Sequence, residues 1–248
     1  MHQDNFYSRF TEYYIDIFPF SPETYTFLKE YTRPGYKKIL DAGCGTGDYA
    51  ARFKKDGFQA AGFDLDESMI EYALSRFPET EFFQMDLREI FGLKQNYHMI
   101  YSIGNTVSHL PQAEFISFAG HVFQKLNPGG RWIFQVKNWD YILEQAPEYH
   151  FPVIGGRSGK VKFFRRYESI SSREVTFITR LEDRGQVAFQ GKVRLYPIQN
   201  EDYLSIHHRM GFDLSGHFAD FSKTPYEKSQ DSANIFVFTK PSGTHWRN

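Results

Sequence analysis

The residues best suited to chemistry lie in one short stretch, Asp41-Ala42-Gly43-Cys44-Gly45-Thr46-Gly47-Asp48, which follows the apolar pair Ile39-Leu40 and opens into a helical pattern. A strand, a tight turn and a helix start are expected there. Glycine lacks Cβ and tolerates positive φ, so alternating glycines let the backbone come close to a ligand. A helix starting at such a turn offers free N–H groups to polar or anionic ligand atoms. Asp64 follows 21 residues beyond Gly43, closing the run Phe58–Phe63. At the carboxyl end of a second strand, that carboxylate can accept two hydrogen bonds from ribose hydroxyls. A third acid, Asp86, follows a strand expected over Glu81–Gln84. Its plain reading is a helix N-cap.

The glycine spacing separates two cofactor classes that Asp64 alone would serve equally. A dinucleotide fingerprint reads G-x-G-x-x-G, whereas Gly43, Gly45 and Gly47 read G-x-G-x-G behind Asp41. This pattern resembles motif I of the class I S-adenosylmethionine (SAM) dependent methyltransferases. Three acids at the ends of three consecutive strands extend the resemblance. It implies SAM as cofactor, with contacts from Asp41, Ala42, Gly43 and Gly45 in the loop, and from Asp64 on the ribose. Leu65 and Met69 would lie against the adenine ring, with Asp86 and Leu87 at its exocyclic amine, and Ser102 and Ile103 at the end of strand four. For Met69, core packing is the competing role. In the family an aromatic N-terminal segment caps the cofactor pocket. Here Phe6, Phe10, Tyr13, Tyr14 and Ile17 recur at helical spacing over residues 5–32, which break at Phe18-Pro19-Phe20-Ser21-Pro22. Tyr14 is the candidate cap, and packing on the core is its alternative.

Strand four, Tyr97–Ile103, leads into Gly104-Asn105-Thr106-Val107-Ser108-His109-Leu110. Strands of an open α/β sheet present their carboxyl ends to the ligand crevice, so this loop is expected to face the reacting atoms. It lacks the N/D-P-P-Y/F motif of enzymes that methylate nucleobase amines, and is similar to the G-N-S-x-x-H-L stretch of glycine and sarcosine N-methyltransferase relatives. His109, with an unperturbed pKa near ~6.5, is the candidate base, and Asn105 the candidate for orienting substrate or the methionine moiety. A structural hydrogen-bonding role is the alternative for His109.

The elements that must hold these residues follow from periodicity. Helices are expected through Asp56, over Glu67–Arg76 behind Asp66 as N-cap, and after Pro111, where Phe115, Phe118, Ala119, Val122, Phe123 and Leu126 form one apolar face. Asn127-Pro128-Gly129-Gly130 turns into a fifth strand, Arg131–Val136. Asn200 is expected to cap a last helix that ends at Gly211, and strands near Phe212–Phe221 and Ala233–Lys240 close the chain. The fold class is α/β: a Rossmann-like seven-stranded class I methyltransferase sheet with helices on both faces. Residues 1–150 and 197–248 would form the SAM-binding domain.

Residues 151–196 alternate apolar and polar side chains around turn clusters at Ser169–Ser172 and Asp183-Arg184-Gly185, the pattern of a small antiparallel β insertion. Between 157 and 194 there are ten Arg or Lys and four Asp or Glu. Solvent-facing and edge cations account for part of this excess. A functional reading makes the insertion a lid whose Arg165 and Arg166 hold a substrate carboxylate or phosphate; a dimer interface is its other use.

Composition excludes several classes. The chain has 248 residues, net charge −1, 41% hydrophobic content and a single cysteine, Cys44. No global field draws it to nucleic acid or an anionic membrane. No disulfide framework or cysteine-based zinc site is expected. The start of the sequence shows no apolar signal core, and no run of ~18 apolar residues occurs, so a cytoplasmic protein without a membrane or metal partner is expected. The sequence thus reads as a methyltransferase acting on a small-molecule acceptor, preferably an amine. An O-methyltransferase of a small acid or hydroxyl compound, a non-catalytic SAM-binding protein and an NAD-dependent oxidoreductase are the alternatives, and the glycine spacing disfavours the last.

Overall fold

Short β-rich apolar runs separated by amphipathic helices build a parallel sheet, because each parallel pair needs a crossover that returns the chain to the same edge. A computed structural model describes residues 11–229 and 233–243. Its elements begin with two short helices, α1 (Thr11–Ile17) and α2 (Pro22–Glu30), and continue as β1 (Lys38–Ala42), α3 (Asp48–Lys55), β2 (Gln59–Asp64), α4 (Glu67–Arg76), β3 (Glu81–Gln84), β4 (Tyr97–Ser102), α5 (Gln112–Lys125) and β5 (Leu126–Lys137). Then come α6 (Trp139–Glu144), β6 (Glu148–His150), β7 (Ile154–Gly155), β8 (Val161–Glu168), β9 (Val175–Asp183), β10 (Gln186–Leu195), α7 (Asn200–Arg209), β11 (Asp213–Phe218) and β12 (Ala233–Thr239). Phe6, Phe10 and the tail around His245 lie outside the described residues.

The main sheet has seven strands in the order β11-β12-β5-β4-β1-β2-β3. Strands β1 to β5 pair in parallel, while β12 runs antiparallel to β5 and β11 antiparallel to β12. The order reverses between β1 and β4, and this is where a doubly wound sheet opens a crevice. Alternation along the strands feeds two cores. Ile39, Met99, Tyr101, Ile133, Ile235 and Val237 pack on α2 and α3 through Phe27, Leu28 and Phe53. Leu40, Ile100, Trp132, Phe134 and Phe236 face α5 and α7 through Phe115, Phe118 and Tyr203.

A second, five-stranded antiparallel sheet runs β10-β9-β8-β6, with β7 beside β8. It begins at Glu148, three residues before the expected insertion, and adds the two shortest strands to the three read from alternation. It is tied to α1: Ser158 N–H and Oγ donate to the Asp16 carboxylate at 2.9 and 2.8 Å, and Phe18 meets Phe163 edge to face at 5.7 Å. Tyr196 N–H donates to the Ser108 carbonyl at 2.8 Å, fastening the other end to the loop after β4.

One local expectation needs correction, and one helix was not expected. Asn200 is the first residue of α7 rather than its cap, and Gln199 at the cap position makes no side-chain cap bond. The cap comes from far along the chain, as Asp140 Oδ2 accepts the Asn200 N–H at 2.9 Å. The helix α6 has no long apolar period; Asn138 Oδ1 starts it by accepting the Tyr141 N–H at 3.2 Å.

Gly47 joins the loop to the packing beneath it. Its φ is +78°, and a Cβ there would lie 2.5 Å from Phe82 Cζ. Left-handed backbone and overpacking both penalise a side chain, so Gly47→Ala should destabilise the protein by about 2–4 kcal/mol in urea denaturation. A loss below ~0.5 kcal/mol would contradict this packing.

Candidate functional site

The carboxyl ends of β1, β2 and β4 meet at one cleft, and hydrogen bonds between β1 and β2 shape its floor. The Phe63 carbonyl accepts both Gly43 N–H at 2.8 Å and Cys44 N–H at 2.9 Å. Asp64 continues the clamp: Oδ2 accepts Gly45 N–H at 2.8 Å and Oδ1 accepts Asp66 N–H at 3.0 Å. The loop therefore folds back over the end of β2. Gly43 must be glycine, because at φ +84° a Cβ would sit 2.3 Å from Thr106 Cγ2. Over the loop stands Tyr14, whose hydroxyl would be 3.6 Å from a Cβ on Gly45.

Two lobes open from this floor and share Tyr14, Gly43, Ile103, Gly104 and His109. The first, about 260 Å³, is lined by Gly45, Asp64, Leu65, Met69, Asp86 and Leu87. The second, about 470 Å³, runs from Asp41 and Tyr49 to Asn105, Lys137, Phe151, Phe163 and Arg165, under the second sheet. The structure thus brings most of the sequence-derived candidates to one cleft. Ala42 and Ser102 are fully buried at the ends of β1 and β4 and line neither lobe.

Electrostatics divide the site. Asp41 is buried; Tyr101 Oη donates to its Oδ2 at 2.9 Å, while Oδ1 has no partner. Burial pushes its carboxyl up to about 8, against the Tyr101 hydrogen bond that lowers it, and nearby Asp64 adds to the rise. Asp64 is raised by burial too, offset by the N–H groups of Asp66 and Gly45. Asp86 is lowered by its hydrogen bonds to Arg88. Its Oδ1 accepts the Arg88 N–H at 2.8 Å, within a capping box closed by Glu89. The N-cap reading holds for Asp86, which also faces the first lobe.

Three candidates stand differently from expectation. Burial alone pushes the His109 imidazole down to about 4, so it is neutral at neutral pH and a weak proton acceptor. Asn105, at φ +69°, spends its Oδ1 on Lys137 N–H at 2.9 Å and Ser108 Oγ at 2.8 Å. It fastens the turn after β4 to the end of β5. Arg166 lies on the far side of β8 from the main cleft, where its Nε donates to Glu168 Oε1 at 2.6 Å. Arg165 faces the cleft, as alternation along a strand requires.

Sequence reasoning missed Lys137, Gln135 and Tyr49. Gln135 Oε1 accepts Gly104 N–H at 2.9 Å, and Tyr49 Oη accepts Ser21 N–H at 3.2 Å. Burial, with Arg165 nearby, pushes the Lys137 ammonium down to about 8. The available signal was their place one strand or one turn beyond the loop.

Residues 39–130 match the methyltransferase domain family. The chain carries a methyltransferase domain, on the fold of the class I SAM-dependent methyltransferases. It is 25% identical over 253 residues to a putative methyltransferase, YqeM, of Bacillus subtilis (strain 168), covering 96% of this chain and 98% of that one. To a glycine/sarcosine N-methyltransferase of Halorhodospira halochloris it is 24% identical over 214 residues, covering 83% and 76% of the two chains. The fold of the methyltransferase is similar to a SAM-dependent methyltransferase from Clostridium acetobutylicum ATCC 824, with TM-score 0.80, 14% identity, and 95% and 99% of the two chains covered. No helix among the described residues is long and apolar enough to cross a membrane.

Asp41 gives a sign that can be checked. Its carboxyl ionises near 3.8 in an unfolded chain and near about 8 in the methyltransferase. Between those values the native state holds the extra proton, so the stability tied to Asp41 is full below the lower value and is lost as pH rises through the upper one. Asp41→Asn removes this dependence. The variant's stability minus that of the wild type should therefore rise by about 1 kcal/mol per pH unit from about pH 5 to 8 in urea denaturation. A flat difference would mean an ordinary carboxylate.

Proposed function

We propose that the cleft binds SAM across both lobes and that the methyltransferase delivers its methyl group to a small-molecule amine. The observation that carries the reading is the Asp64 carboxylate, held by the Gly45 and Asp66 N–H groups at the lip of the glycine loop and lining the first lobe. There it can accept ribose hydroxyls, with Leu65 and Met69 against the adenine and Asp86 and Leu87 at its amine edge. Gly43 and Gly45 bring backbone close to the methionine part, under Tyr14. The orphaned Oδ1 of Asp41 supports a cationic ligand, since a carboxyl held at about 8 would ionise readily beside an ammonium or sulfonium. When bound, SAM supplies an electrophilic methyl carbon.

What remains for the protein is to orient the acceptor and exclude water. Tyr14 and the second sheet close over the cleft, and the Asn105 link fixes the turn that carries His109. An amine can shed its proton before binding and needs no strong base in the site, which agrees with an imidazole held near about 4. A hydroxyl acceptor would need a base closer to neutrality. The glycine/sarcosine N-methyltransferase relative, named for an amine acceptor, supports the same choice.

Isothermal titration calorimetry with S-adenosylhomocysteine and, in parallel, NAD tests this reading. S-adenosylhomocysteine alone should bind, and Asp64→Ala should weaken it at least about tenfold, equivalent to roughly 1.5–3 kcal/mol for a hydrogen-bonded charged group. Binding of NAD alone, or unchanged affinity in a folded Asp64→Ala protein, would overturn the assignment.

A further inference from the structure

The second lobe holds two cations with no carboxylate partner. Lys137, at the end of β5, and Arg165, in the middle of β8, both stand over the Phe151 ring, at 5.2 and 5.0 Å from its centroid. Arg165 is oriented by one Nη donating to the Pro152 carbonyl at 3.1 Å, and a second ring, Phe163, lies 5.8 Å away. Its Nε is buried without a hydrogen-bond partner. Among the described residues neither cation forms an ion pair. Neither acid of this lobe pairs with them: Asp41 Oδ2 is held by Tyr101 Oη at 2.9 Å, and Asp48 pairs with Arg76 at 3.1 Å.

Two neighbouring cations in an apolar enclosure repel each other and lose hydration, so the arrangement is costly unless an anion joins them. Much of this lobe's remaining wall is apolar. Phe18, Phe163, Phe177 and Leu195 line the same cavity of about 470 Å³. Such walls favour an aromatic or aliphatic body over a small hydrated molecule. We infer that the methyl acceptor carries an anionic oxygen group, carboxylate or phosphate, gripped jointly by Lys137 and Arg165, on an apolar body that packs among Phe18, Phe163 and Phe177. The planar guanidinium suits two oxygens of one group, and the ammonium adds a point charge. This rests on the methyltransferase reading of the cleft and narrows its substrate class to amphiphilic anionic amines.

The test uses the full chain saturated with S-adenosylhomocysteine and titrated with acetate, benzoate, inorganic phosphate or phenyl phosphate. Benzoate or phenyl phosphate should bind at least about tenfold more tightly than its non-aromatic counterpart, and the preferred pair tells carboxylate from phosphate. In the double variant Lys137→Met, Arg165→Met the aromatic anion should lose at least about tenfold in affinity, while S-adenosylhomocysteine binding changes less than about threefold and reports an intact fold. Arg180→Met, on the outer face beside Glu182, should leave both affinities unchanged. Absence of aromatic-anion binding, or equal binding by the double variant, would overturn the joint grip; equal binding of aromatic and small anions would overturn the apolar body. Failure of S-adenosylhomocysteine itself to bind would instead overturn the cofactor reading.

Discussion

The clamp between the ends of β1 and β2 is the constraint on which the site depends. Four backbone N–H groups, those of Gly43, Cys44, Gly45 and Asp66, converge on two acceptors, the Phe63 carbonyl and the Asp64 carboxylate. Buried N–H groups need partners, and these partners exist only when β1 and β2 pair in the observed register, Ala42 opposite Phe63. The loop shape is therefore set by sheet pairing. With the loop fixed, Gly43 lies against Thr106 and Gly47 against Phe82, which joins the turn after β4 and strand β3 to the same floor.

Charge is distributed along the cleft in a way that suits a transfer between unlike groups. Buried Asp41 and half-buried Asp64 stand at the glycine-loop end, and the half-buried cations Lys137 and Arg165 at the second-sheet end. Burial raises the first pair and lowers the second, so a ligand of opposite sign at either end would favour the charged form that burial disfavours. His109 lies where the lobes join and is kept neutral by the same burial. The second sheet makes this enclosure, through its tie to α1 at Asp16 and to the turn after β4 at Ser108.

Much of this was legible because the decisive features are local. The glycine spacing, the acids closing β1 and β2, the Asp66 cap of α4 and the apolar face of α5 all occupy single turns or strands. What could not be read depends on contacts distant in sequence. Arg165 and Arg166 are equivalent in composition, and a one-residue change of register would exchange them; only the pairing of β8 with β9 decides that Arg165 faces inward. Lys137 and Gln135 alternate along β5 like any strand residues until the fold places them beside Gly104 and Asn105. The cap of α7 comes from Asp140, 60 residues away. The fall of the His109 imidazole is a property of its enclosure, which no spacing in the sequence encodes.

The most direct measurement is a crystal structure of the methyltransferase with S-adenosylhomocysteine. The account predicts both ribose hydroxyls on Asp64, the adenine between Leu65 and Met69, and the sulfur directed toward the lobe that holds Lys137 and Arg165. An adenosine seated elsewhere, or a sulfur turned away from that lobe, would contradict it.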